Sequence, residues 1–166
     1  MTPDQLTATA RLLATLRVVH KESVHLEWSR KRLFDETIDK KWVEMLEQRP
    51  ELAERLEAFV SRYARMQDTI AQKLLPRWLL ALAEEPGSQI EVLNRAERLG
   101  VLEDTDRWLE ARQLRNRLVH EYMDDSSAFA DNINLAESYS GMLIDTYHRL
   151  RKDIIDRLDI AESNLP

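Results

Sequence analysis

The sequence predicts an all-α fold, an antiparallel helical bundle forming one domain across 166 residues. Apolar residues recur three or four apart along most of the chain, the spacing of one helical face, and no segment sustains a strand period. Only three glycines occur, too few for a set of hairpin turns, bulges or phosphate-cradling loops. A hydrophobic fraction of 43% beside a charged fraction of 33% suits a folded chain with a solvated surface.

The first helix is expected from about Pro3 to Phe34, with Leu6, Ala10, Leu13, Leu16, Val19 and Leu26 facing inward. A shorter helix spans about Glu36 to Gln48, burying Ile38, Trp42, Met45 and Leu46. Pro50 opens the third at its first turn, where a missing N–H costs nothing. The stripe Leu52, Leu56, Phe59, Val60, Tyr63, Met66, Ile70 and Leu74 belongs to a helix reaching about Ala83. Pro76 falls inside it, removes a backbone donor and predicts a kink near Lys73.

Glu85-Pro86-Gly87 is the clearest loop, and Ser88 with Glu91 has the form of a capping box for a helix that Gly100 ends. Asp104 caps a helix from Thr105 to about Met123. The polar cluster from Asp124 to Ser127 separates it from a last helix reaching about Leu158, and Glu162 to Pro166 is expected to fray. Trp42, Trp78 and Trp108 fall on apolar stripes and are assigned to packing. Within the single domain, residues 51–158 are expected to form the core and residues 1–50 an N-terminal helical extension.

The inventory excludes several chemistries. Without cysteine there are no disulfides, thiolate nucleophiles, zinc–thiolate sites or iron–sulfur clusters. No P-loop or dinucleotide fingerprint is present. His20 and His25 lie five apart rather than the three or four that would put two ligands on one helical face, so neither a metal nor a cofactor is expected. The segment from Met1 to Gln5 carries no leader pattern and no apolar run approaches the roughly 20 residues of a membrane span, so a cytoplasmic protein without a membrane partner is expected. A formal charge of −6 argues against coating nucleic acid nonspecifically but permits a local basic cleft; 18 of the 24 cationic residues are arginine, suited to bidentate phosphate contacts. Arg65 and Asp68 are expected to form an ordinary helical ion pair, and His148 a solvated surface.

The densest polarity beside an apolar face lies in the helix from Thr105. Trp108, Ala111, Leu118 and Val119 are expected to pack inward, flanked by Arg112, Arg115, Asn116, Arg117 and His120. At about 3.6 residues per turn, Asn116 and His120 share a side, whereas Arg115 and His120 diverge by roughly 140°. Their convergence needs either a distorted helix end or a second copy facing the first across a two-fold axis, and the symmetric dimer is favoured. An arginine, an amide and a histidine supply phosphate charge stabilisation, orientation and proton exchange near neutral pH. RNA brings its own nucleophile, the 2′-hydroxyl, so the protein need supply none.

The run Arg115, four residues, His120, one residue, Tyr122 resembles the R-x4-H-x-Y signature of HepT-like HEPN domains, including the polar Asn116 after the arginine. The resemblance covers roughly residues 52–150, with the segment from Ser61 to Asp68 similar to the long helix that packs beside the signature helix. It implies a helical bundle that dimerises with signature helices facing each other. It also implies a metal-independent endoribonuclease with Arg115 and His120 in its active site, to which the residue reading adds Asn116 as the group that orients substrate or His120, and a toxin paired with a nucleotidyltransferase antitoxin that adds AMP to Tyr122. The alternative is a noncatalytic accessory subunit of a nucleotidyltransferase whose cleft holds a nucleotide or the partner's active site.

Overall fold

The computed structural model describes residues 1–120 and 124–166, with His120 described by its backbone alone. The described residues form α-helices α1 (Pro3–Leu33), α2 (Lys40–Glu44), α3 (Pro50–Thr69), α4 (Leu75–Ala81), α5 (Gln89–Arg98), α6 (Thr105–His120) and α7 (Ser126–Leu158), with no strand among them. Long helices α1, α3 and α7 frame the bundle: α1 packs on α3, α4 and α7, while α6 lies against both α3 and α7. One continuous cluster of buried side chains runs from Leu12 in α1 to Ile154 in α7, with Trp78, Trp108, Tyr63, Tyr147 and Phe59 among its largest fully buried members. Among the described residues no helix is long and apolar enough to cross a membrane.

Local chemistry accounts for most helix ends. Thr2 and Gln5 complete a reciprocal capping box, with Pro3 at the first helical position. Asp39 caps α2, Asp125 caps α7, and Asp104 Oδ1 accepts from the Asp106 and Arg107 amides at 2.8 and 3.4 Å. Ser88 supplies its half of the expected box, accepting from Glu91 N at 3.3 Å. Gly100 takes φ +80° just beyond α5, a backbone state that carries no Cβ penalty for glycine.

The expected kink proves to be a π-helical turn, Ile70–Leu74, joining α3 to α4 without a break. Pro76 comes two residues later: its ring would press on the carbonyl four residues back, inside that turn, and one wider turn relieves the crowding while keeping Ile70, Leu74, Leu75, Trp78 and Leu79 in the core. Trp42, Trp78 and Trp108 are buried, as expected.

Three expectations change. The inward face of α1 is Leu12, Leu16, Val19 and Leu26 interleaved with buried Thr9, Thr15, Ser23 and Ser29, whereas Leu6 is 57% exposed. Small hydroxyls fit this face because they close local bonds, Thr15 to the Arg11 carbonyl at 2.9 Å and Ser23 to that of His20 at 2.6 Å. The second helix is only five residues long, and the chain from Met45 to Gln48 forms turns, which leaves Met45 43% exposed. The tail does not fray: residues Glu162–Asn164 form a 3-10 turn, Leu165 packs on the core and Arg151 Nε donates to the Pro166 carbonyl at 2.7 Å.

Candidate active site

Helix α6 meets the core through Trp108, Ala111 and Leu114, three apart and fully buried. Tyr63 of α3 fixes its height, donating its hydroxyl to the Ala111 carbonyl at 2.8 Å. Burial pushes the Tyr63 phenol far above the ordinary tyrosine range, so it serves as a neutral donor.

One turn further on, Arg115 stands at the edge of the buried stripe with its side chain 23% exposed. Its Nη2 donates to Asp68 Oδ2 across from α3 at 2.7 Å, and its Nη1 to Asn116 Oδ1 at 2.8 Å. Nε is buried without a hydrogen-bond partner. The guanidinium plane is thereby held in one orientation from two sides, and the Asp68 carboxylate offsets its charge. The amide of Asn116 spends its oxygen on Arg115, which leaves the nitrogen's two donors for another group.

Arg115 and Asn116, two of the expected catalytic residues, are therefore in direct contact. The His120 side chain and Tyr122 lie outside the described residues. The α6 backbone is continuous α-helix from Arg115 through His120, the regular geometry in which positions 115 and 120 diverge by roughly 140°.

Asp68 is the residue that sequence reasoning misses. Its expected partner is Arg65, its neighbour on α3, yet it pairs with Arg115 on α6, 47 positions away. The packing of α3 on α6 brings a fixed, partly buried guanidinium to Asp68, which outcompetes an exposed neighbour whose long side chain must be ordered to reach it. The only hint in the sequence is that Asp68 borders the buried stripe Tyr63, Met66 and Ile70.

Beside Arg115 lies a groove of about 540 Å³, its apolar wall formed by Leu46, Leu56, Val60, Leu118, Val119 and Phe129. Val119, expected to pack inward, is 45% exposed here. It follows Ala111, the middle of the core stripe, by eight residues and so lies roughly 80° round the helix from it. Compared with protein-family models, curated proteins and solved structures, the chain matches none.

Proposed function

We propose that this chain is a metal-independent endoribonuclease of the HepT-like HEPN type, the toxin of a toxin–antitoxin pair whose other member is a nucleotidyltransferase. The observation that carries the reading is the Arg115 guanidinium, oriented by Asp68 and Asn116 at the edge of the core on the helix that ends at His120. In this reaction a neutral His120 imidazole takes the proton of an RNA 2′-hydroxyl, whose oxygen attacks the adjacent phosphorus. The 5′-oxygen leaves and takes up a proton, yielding a 2′,3′-cyclic phosphate and a 5′-hydroxyl end. Arg115 stabilises the charge that accumulates on the phosphate, and Asn116 orients substrate through its free amide donors.

Positions 115 and 120 of a regular helix diverge by roughly 140°, so the reading includes a homodimer in which each arginine approaches the histidine of a facing copy. The half-exposed Val119 and the apolar groove beside Arg115 supply surface for such pairing. Tyr122, two residues past the histidine, is the acceptor for AMP in this scheme. His120→Ala should abolish cleavage of single-stranded RNA and any growth arrest on expression, with the dimer intact by sedimentation. A His120→Ala protein that still cuts RNA overturns the proposal.

A second reading, the noncatalytic accessory subunit of a nucleotidyltransferase, draws on Asp68, which offsets the charge that phosphate stabilisation uses. Wild-type protein that leaves RNA intact with and without chelator, yet binds a nucleotidyltransferase stably, favours that alternative.

A further inference from the structure

A second cationic feature sits where α3 packs on α1. Glu22 and His25 of α1 and Arg62 and Arg65 of α3 enclose a polar recess of about 210 Å³. Arg62 is anchored without a carboxylate: its Nη1 donates to the His25 carbonyl at 3.2 Å and to the buried Ser29 hydroxyl at 2.6 Å. Its Cζ also lies 5.9 Å from the centre of the Trp28 indole, which carries Arg32 at 5.2 Å as well. Trp28 is 57% exposed, unlike the three tryptophans of the core. Neither Arg62 nor Arg65 has an ion pair among the described residues. Neutral anchors fix the Arg62 guanidinium yet leave its charge, its Nε and its Nη2 to an external acceptor.

The recess is small. Pockets that take drug-sized ligands run from about 300 to 1,000 Å³, so this one suits a phosphate group rather than a nucleoside. It also adjoins the site already described. Arg62, Arg65 and Asp68 follow each other at one-turn spacing on α3, and a rise of about 1.5 Å per residue sets Arg65 about 4.5 Å and Arg62 about 9 Å along the axis from Asp68, the partner of Arg115. Glu22 interacts electrostatically with Arg65, Lys73 and Asp68 alike, so recess and Arg115 site share a neighbourhood. Arg62 and Arg65 place two guanidiniums one turn apart on α3 in a chain of net charge −6.

We infer that Arg62 and Arg65, with Trp28 and Ser29 holding Arg62 in place, form a backbone-phosphate subsite for single-stranded RNA, flanking the phosphate that Arg115 engages. The subsite rests on the ribonuclease reading for its ligand, but it contributes binding and register rather than chemistry. Glu22 is the one carboxylate among the residues lining the recess, and burial raises its proton affinity.

The test uses the full chain and a fluorescent 2′-O-methyl RNA oligonucleotide, whose nucleophile is blocked so that it binds without being cut. Dissociation constants are measured against potassium chloride concentration for wild type, Arg65→Gln and Arg62→Gln. Each substitution should weaken binding and flatten the slope of log Kd against log salt by about 0.7, the share of one single-strand phosphate contact. On cleavable RNA, KM should rise with kcat nearly unchanged. The Arg65 side chain is exposed and makes no ion pair among the described residues, so Arg65→Gln carries the test even if Arg62→Gln fails to fold.

A folded Arg65→Gln with wild-type affinity, slope and KM overturns the subsite and leaves the nuclease standing. Wild-type binding that responds to both substitutions without any RNA cleavage overturns the nuclease and leaves the subsite. A wild-type protein that does not bind the oligonucleotide overturns the subsite, as does polyglutamate displacing the RNA at equal charge concentration, which would reassign the two arginines to an acidic protein partner.

Discussion

Replacing Asp68 by alanine probes the contact on which the candidate site is built. The Arg115–Asp68 pair closes at 2.7 Å, with Arg115 23% and Asp68 38% exposed. Fully exposed pairs contribute about 0.2–1 kcal/mol, and hydrogen bonds to charged groups about 1.5–3 kcal/mol. Because the carboxylate keeps more than a third of its surface in water, screening holds the coupling to about 1 kcal/mol. Asp68→Ala also strands a guanidinium whose Nε already lacks a partner, so its total cost should reach about 1.5 kcal/mol, or roughly 3–6 °C in Tm for a chain of this size.

Urea unfolding of wild type, Asp68→Ala, Arg115→Ala and the double variant isolates the pair, since the hydrogen bond from Arg115 to Asn116 is absent from both Arg115 variants and cancels in the cycle. The coupling should shrink in molar salt, where the screening length falls to about 3 Å. In RNA cleavage, Asp68→Ala should lower kcat by about ten- to a hundredfold through misplacement of the guanidinium, while Asp68→Asn, which keeps an acceptor oxygen, retains most of it. Additive stability effects to within about 0.3 kcal/mol, or an Asp68→Ala enzyme faster than wild type, would refute the positioning role.

Two further perturbations follow from buried titratable groups. Tyr63→Phe removes the hydroxyl bond to Ala111 and should cost about 1 kcal/mol, seen as a lower urea midpoint with unchanged slope. Burial holds Tyr63, Tyr139 and Tyr147 above the ordinary tyrosine value of about 10, so the folded state keeps protons that the unfolded chain releases. Stability should be full below pH about 10 and decline above it, less steeply in Tyr63→Phe; equal midpoints at pH 8 and 11 would contradict this. Glu22 is likewise held above the ordinary carboxylate range by burial, and its Oε2 has no hydrogen-bond partner. The stability it contributes is present below the unfolded value of about 4.3 and lost as pH rises through its folded value. Glu22→Gln should therefore stabilise the protein at pH 7 and not at pH 3, and chemical denaturation at both values would expose an effect of the opposite sign.

What is legible in the sequence is what short-range chemistry decides. Asp104, Ser88, Thr2 and Gly100 act on backbone groups within a few residues, so the helix ends they control fall where spacing alone puts them. Pro76 announces a disturbance through its missing N–H, although its form as a π-helical turn depends on keeping Ile70 and Trp78 in one core. The motif residues Arg115 and Asn116 are legible too, being adjacent on one helix.

Other features depend on neighbours distant in the chain. The rotation of α1 escapes periodicity because an alternating row of Leu and Thr or Ser looks half polar until its hydroxyls are seen to close local bonds in a helix packed against α3 and α4. Leu165 and Pro166 look free to fray because their partners, the core and Arg151, are contributed by other turns of the fold. Asp68 gives no local sign of Arg115, since a bond spanning 47 positions exists only after α3 and α6 have packed. Periodicity and capping are encoded within one or two helical turns and can be read from a string of letters. The choice of ion-pair partner is a competition among groups that only packing brings within reach, and so the tertiary structure alone decides it.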